Sequence, residues 1–272
     1  MLMEQLAQNI TNLVRQAGGV WGIAVEDLQS GERFGLNEHG GFMAASLIKL
    51  PIMAAVYAAA YEGRLRLDDQ VSLRAGDKAG GSGILQHMAP GMVMSIKDLI
   101  TLMIIQSDNT ATNMLIDLIG PEPIRRTMLD LGMQQSVFAN KTGLFLTDPP
   151  GQNITTAADV SLLLRKLASG SFISRHACAD MIAVMKLQQL GNGLAERLPA
   201  PSASTVGRIP EWQWAGKTGS LTGIAHEAGV LYVGHRSIIV SVLSESTANP
   251  GDVRKMISSI GEQVFLFACG TH

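Results

Sequence analysis

Strand-like sequence is confined to the two ends of this chain, with a long helical block between them, and that layout restricts the fold more than any other feature. Residues 20–28 and 33–36 read as a hairpin around the turn Gln29-Ser30-Gly31-Glu32. Residues 212–217, 224–233 and 237–244 read as three more strands, the last two joined tightly at Gly234-His235. Both ends therefore contribute to one antiparallel sheet. A helix precedes it, with apolar Met3, Leu6, Ile10, Leu13, Val14 and Ala17 at helical spacing and Gly18-Gly19 as the stop. Another, over 252–268, closes the chain.

The middle block gives helices over 46–61, 95–106, 109–119, 122–131, 157–168 and 174–187. The first is apolar nearly all round, the pattern of a buried helix. Residues 132–155 carry Gly, Pro and Asn without periodicity and read as a long ordered loop, a kind of segment that is often functional. The expected fold class is α+β. Residues 1–45 and 204–272 form a sandwich of antiparallel sheet with N- and C-terminal helices, and 46–203 form an all-α lobe. The two interlock as one unit, with the site at their interface.

Hydrophobic residues make up 46% of the 272 and charged residues 16%, the balance of an ordered globular chain with ample core. A formal net charge of −2 gives no electrostatic reason to bind nucleic acid or an anionic membrane. The 14 Met read as core filler. Cys178 and Cys269 suit neither a metal site nor a disulfide framework and are expected as two buried free thiols. The scattered His offer no metal-ligand spacing, so neither metal nor cofactor is expected. The start lacks a basic n-region and an apolar h-region, and no long uncharged apolar run follows. As written the chain reads as a cytoplasmic monomer, or as extracytoplasmic if it is a trimmed mature form.

Three short motifs carry chemistry: Ser46-Leu47-Ile48-Lys49, Ser107-Asp108-Asn109 and Lys217-Thr218-Gly219. Ser46 stands where coil enters a helix, beside free N–H groups and a positive dipole end that favour an anion. Lys49 follows at helical spacing, on the same face as the Ser46 hydroxyl. To act as a base its pKa must fall from about 10.4 to about 7, which burial and a second cation both promote. Taken alone, a capping Ser and a surface Lys would explain this motif, but the apolar neighbours Leu47, Ile48, Leu50 and Pro51 make a solvated Lys awkward. Ser107, Asp108 and Asn109 have ordinary capping roles open to them. A tight turn there would aim Ser107 and Asn109 into one cleft. Period-two alternation puts Lys217 on the face away from Trp212 and Trp214, and Gly219 permits close approach to the strand. His226, just beyond, is either a strand histidine or a catalytic one.

With these motifs in this order, the chain resembles class A of the serine β-lactamase and penicillin-recognising family. The segments Gly81-Ser82-Gly83-Ile84-Leu85, 102–113 and 217–223 carry the likeness, which extends over nearly the whole length. The resemblance implies Ser46 as the acylated nucleophile, Lys49 as its base and Ser107 as a proton relay to the leaving nitrogen. Asn109 would contact the substrate amide or Lys49, while Lys217, Thr218, Gly219 and Ser220 would line the carboxylate site. The backbone N–H groups of Ser46 and Ser220 would form the oxyanion hole.

Two departures from class A stand out. The family's deacylating Glu is missing from 132–155; Thr142 or a neighbour stands in its place, and Asp148 is the only acid there and a possible replacement base. The Arg expected on the strand after Lys217-Thr218-Gly219 is replaced by His226-Glu227. The leading expectation is a serine hydrolase that forms an acyl-enzyme at Ser46 and turns over β-lactams slowly. A D-Ala-D-Ala-type peptidase or an esterase of the same fold is the alternative. A non-catalytic penicillin-binding or sensor domain is the alternative of another class.

Overall fold

The computed structural model describes residues 1–142, 151–191, 193–200, 210–246 and 249–270. Its centre is a five-stranded antiparallel sheet of β1 (Val20–Asp27), β2 (Arg33–Leu36), β7 (Trp212–Leu221), β8 (Ile224–Val233) and β9 (Arg236–Glu245), in the order β2-β1-β9-β8-β7. The chain's two ends therefore meet where β1 pairs β9, with Ile23 opposite Val242 and Val25 opposite Val240. Alternation divides each strand between two cores. Ile23 and Val25 join the helices α1 (Met3–Ala17) and α8 (Pro250–Cys269) on one face, and Ala24 faces the helical block on the other. Gly18 ends α1 at φ 66, a left-handed conformation that glycine adopts at no steric cost.

On the second face lie α2 (Lys49–Tyr61), α3 (Ile96–Ile105), α4 (Asn109–Ile119), α5 (Pro121–Leu131), α6 (Ala157–Ala168) and α7 (Arg175–Lys186). Helix α2 is buried from Lys49 to Tyr57, as its uniformly apolar sequence requires. Helix α6 is tied to the sheet by Ser161 against Ser241 at 2.9 Å and by Arg165 on Glu26 at 2.6 Å. Met53, Met103, Met128, Met181 and Met185 all lie in this core, the filler role expected of them.

Two short ribbons were not legible in the sequence: β3 (Phe42–Met43) with β6 (Ile154–Thr155), and β4 (Gln70–Ser72) with β5 (Val93–Ser95). Strands of two or three residues are too short to show a period. The first ribbon matters for function, because it pins the far root of the 132–155 loop beside the segment that enters Ser46. The Ala44 N–H donates to the Asn153 carbonyl at 2.7 Å. The expected pair of buried thiols needs correcting. Cys178 is buried, but Cys269, in the last turn of α8, is exposed, and both are free. Among the described residues no helix is long and apolar enough to cross a membrane.

Candidate active site

Ser46 lies in a 3-10 turn, Ala45–Ile48, and the α-helix proper starts at Lys49 rather than at Ser46. Pro51 accounts for the offset, since it has no N–H to donate to residue 47 and the regular ladder begins only after it. The turn closes instead through Leu47 N–H on the Ala44 carbonyl and Lys49 N–H on the Ser46 carbonyl. Ala45, directly before the serine, has φ 44, and Ser107 has φ 52. Such left-handed residues without glycine cost about 1–3 kcal/mol each and concentrate at functional sites. Here they set the approach to two of the residues singled out from sequence.

The Lys49 amine is wholly buried and has three oxygen neighbours: the Ser107 carbonyl at 2.6 Å, the Ser107 hydroxyl at 3.0 Å and Asn109 Oδ1 at 2.8 Å. Two of these, a carbonyl and an amide oxygen, only accept. A neutral amine satisfies both with its two hydrogens and turns its lone pair toward the Ser107 hydroxyl. Burial, and then the charge of Lys217, push Lys49 well below the ordinary lysine range, while Asp108 opposes the shift. The Ser46 hydroxyl makes no hydrogen bond to a described residue.

The turn carrying Ser107 and Asn109 is held by Asp108. Its carboxylate caps α4 at the Ala111 N–H and accepts the Ile84 and Leu85 N–H groups at 2.7 and 2.9 Å. Gly83 packs against it so closely that a Cβ there would lie 2.2 Å from the Asp108 carboxyl carbon. This gives the Gly81-Ser82-Gly83 segment its physical reason: it wraps the turn that aims Asn109 at Lys49. Asp108 is thus structural, as capping chemistry alone would suggest.

From the sheet, β7 brings Lys217 to the same place. It runs four residues beyond the expected end at 217, to Leu221, as the edge strand. The buried Lys217 amine lies 3.1 Å from the Ser107 hydroxyl and 2.7 Å from the Thr218 carbonyl. The Ser107 oxygen thus bridges two lysines. Burial draws Lys217 down to about 7, against the pull of Glu227. Gly219 abuts the nucleophile turn, where an added Cβ would lie 3.3 Å from the Ser46 nitrogen. That proximity puts the Ser46 amide beside the strand that continues into Ser220.

Three further residues resolve questions the sequence left open. His226 accepts the Ser244 N–H on Nδ1 at 3.1 Å and donates from Nε2 to the Met43 carbonyl at 2.9 Å. Both ring nitrogens are used, so this histidine is a clamp holding the Ser46 entry segment to the sheet. A cation does stand beside β7, but it comes from α8: the Arg254 guanidinium donates to Ser220 Oγ at 2.5 Å. Sequence reasoning missed it because nothing near Arg254 in the chain points to the site. In the loop, Thr142 is held by Asn113, while Asp148 lies outside the described residues. No cluster of His, Cys, Asp or Glu able to hold a metal occurs among the described residues.

Comparison with known proteins shows the family and the fold. The family model described as the β-lactamase enzyme family matches residues 5–267, and the chain belongs to that family. The β-lactamase of Sphaerobacter thermophilus DSM 20745 is 31% identical and superposes with a TM-score of 0.89 over 98% of both chains. A leucine-to-glutamate mutant of PBP-A, solved as an acyl-enzyme complex with penicillin G, is 25% identical with a TM-score of 0.84 over 98% of this chain and 97% of that one. β-Lactamase L2 of Stenotrophomonas maltophilia is 25% identical over 79% of this chain and 68% of its own.

Proposed function

We propose that this chain is a serine hydrolase of the β-lactamase type, acylated at Ser46 by β-lactams and slow to release the acyl group. The observation that carries the reading is the Lys217–Ser107–Lys49 chain, with a hydroxyl 3.1 Å from one buried amine and 3.0 Å from the other. In acylation, the Lys49 lone pair takes the Ser46 proton as Oγ bonds to the substrate carbonyl carbon. The Ser46 and Ser220 N–H groups receive the oxyanion. The carbon–nitrogen bond then breaks while the Ser107 hydroxyl gives its proton to the leaving nitrogen and recovers one from Lys49. Lys217, Thr218, Ser220 and Arg254 hold the substrate carboxylate. No Ser46–Lys49 hydrogen bond is present among the described residues, where Lys49 meets Ser107 and Asn109. Acylation requires the Lys49 lone pair to turn from Ser107 to Ser46 when substrate binds, as catalytic hydrogen bonds commonly form only in the complex.

Deacylation needs a second base on the opposite face of the acyl group. The resemblance puts Thr142 or a neighbour where the family has its Glu, and a threonine hydroxyl is no base near neutrality. Asp148, the only acid of the loop, is one methylene shorter than Glu and is followed by two prolines that restrict it. Losing a positioned base costs about 10²–10⁴ in rate. Intact mass after mixing with a penicillin, together with burst kinetics on a chromogenic β-lactam, tests the proposal. The expected result is one adduct on Ser46, absent in Ser46→Ala, with a burst and weak steady-state hydrolysis. An adduct that persists in Ser46→Ala would refute the assignment of the nucleophile, and steady turnover above about 10 s⁻¹, an ordinary enzyme's rate, would refute slow release.

A further inference from the structure

Behind the Lys217 strand, on the sheet face turned away from Ser46, a carboxylate is buried. Glu227 of β8 stands opposite Thr218 and is 2% exposed. One of its oxygens accepts the Leu194 N–H at 2.8 Å and the other accepts the Trp214 indole N–H at 3.2 Å. The surroundings are shaped to this group: a Cβ on Gly193 would fall 1.5 Å from Glu227 Oε2, so only glycine lets that segment close on the carboxylate. Burying a carboxylate is expensive, and a well-packed apolar side chain commonly serves stability as well or better.

The charges around it are mostly positive. Lys217 reaches it through the sheet and Arg254 faces it from α8; its neighbour on β9 is the apolar Val242. On the site side, Lys217 itself is bonded only to the Ser107 hydroxyl and the Thr218 carbonyl among the described residues, and the Lys49 amine nearby supplies no negative charge. Its counter-charge therefore comes from behind.

We propose that Glu227 is a positioning residue for the reaction at Ser46: its buried carboxylate is the counter-charge that keeps Lys217 cationic, and so able to bind an anionic substrate group. This rests on the acyl-enzyme reading above. Burial raises Glu227 to about 7 and lowers Lys217 to about 7, so the two titrate as a coupled pair in the working range. Removing the anion makes Lys217 lose its proton at lower pH. Cationic Lys217 in turn helps keep Lys49 neutral, so a change behind the sheet is felt at the base.

The test compares Ser46 acylation by a carboxylate-bearing ester and by its uncharged methyl ester, from about pH 5 to pH 10, across the ordinary carboxylate and lysine ranges. In the unmodified protein, preference for the anionic ester falls as Lys217 deprotonates. In Glu227→Gln that fall moves to lower pH by about one unit or more. Trp214→Phe, which removes one donor but keeps the carboxylate, moves it the same way by less. It decides the matter alone if Glu227→Gln does not fold. A purely structural Glu227 would slow both esters alike at every pH, and that result overturns the inference. No acylation of the unmodified protein by either ester would overturn the acyl-enzyme reading and this inference with it. Normal acylation with an unmoved preference profile in the variants overturns this inference alone.

Discussion

Asn113 grips the backbone of Thr142 from both sides: its Nδ2 donates to the Thr142 carbonyl at 2.9 Å and its Oδ1 accepts the Thr142 N–H at 2.9 Å. Asn113 stands one turn after Asn109 on α4, so the two share a helix face about 5–6 Å apart. Asn109 touches Lys49. The clasp therefore holds Thr142 to the helix face that also carries Asn109, the partner of Lys49. Thr142→Glu puts a carboxylate on that held backbone. We expect steady-state hydrolysis of a chromogenic β-lactam to rise by about 10²–10⁴ while the burst rate stays unchanged. A folded Thr142→Glu protein with the original steady rate would show that the loop does not face the acyl group.

Lys49 is expected to act by losing a proton, and charge alone should not replace it. Arg keeps the charge but does not deprotonate in proteins. Both Lys49→Ala and Lys49→Arg should slow adduct formation by about 10²–10⁴, read by mass against time. Near-normal acylation in Lys49→Arg would mean that the residue works as a fixed cation.

Arg254 should contribute to binding rather than to the chemical step. A hydrogen bond to a charged group is worth about 1.5–3 kcal/mol, so Arg254→Gln should raise KM for a carboxylate-bearing substrate by roughly ten- to a hundredfold. kcat and the methyl ester should change little. An equal loss on both substrates would place Arg254 outside the carboxylate site.

How much of this was legible follows from how local each signal is. The hairpin at 20–36 and the helices declare themselves because Ile23 and Val25, or Leu6 and Ile10, repeat at their own period within a few residues. Ser46, Lys49, Ser107 and Lys217 were legible because each motif packs its chemistry into three or four positions. The rest is non-local. Arg254 meets Ser220, Glu227 meets the Leu194 amide, and Asn113 meets Thr142 only after the chain has folded. The left-handed turns at Ala45 and Ser107 occur at residues with no intrinsic preference for them, so no composition rule reveals them.

His226 ties pH to the placement of the nucleophile. Its Nδ1 accepts the Ser244 N–H and its Nε2 donates to the Met43 carbonyl, so the bonded ring is neutral. Burial, against the backbone of Met43 and Ala225, holds its pKa below the ordinary 6.5. Protonation would set a new N–H against the Ser244 N–H. With the folded pKa depressed, the unfolded chain binds the proton first as pH falls. The stability from this clamp is therefore complete above about pH 6.5, the ordinary histidine value, and is lost as pH falls through the folded pKa. Glu227, raised to about 7, runs the other way in part of this window, so total stability is the wrong readout. The informative quantity is the difference between the unmodified protein and His226→Phe, which keeps a ring but cannot titrate. At neutral pH the variant should be less stable by about 2–6 kcal/mol, for two buried backbone groups left unpaired. In chemical denaturation that gap should narrow steadily below about pH 6.5. A gap that stays constant into acid would mean that His226 never titrates in the folded protein's working range.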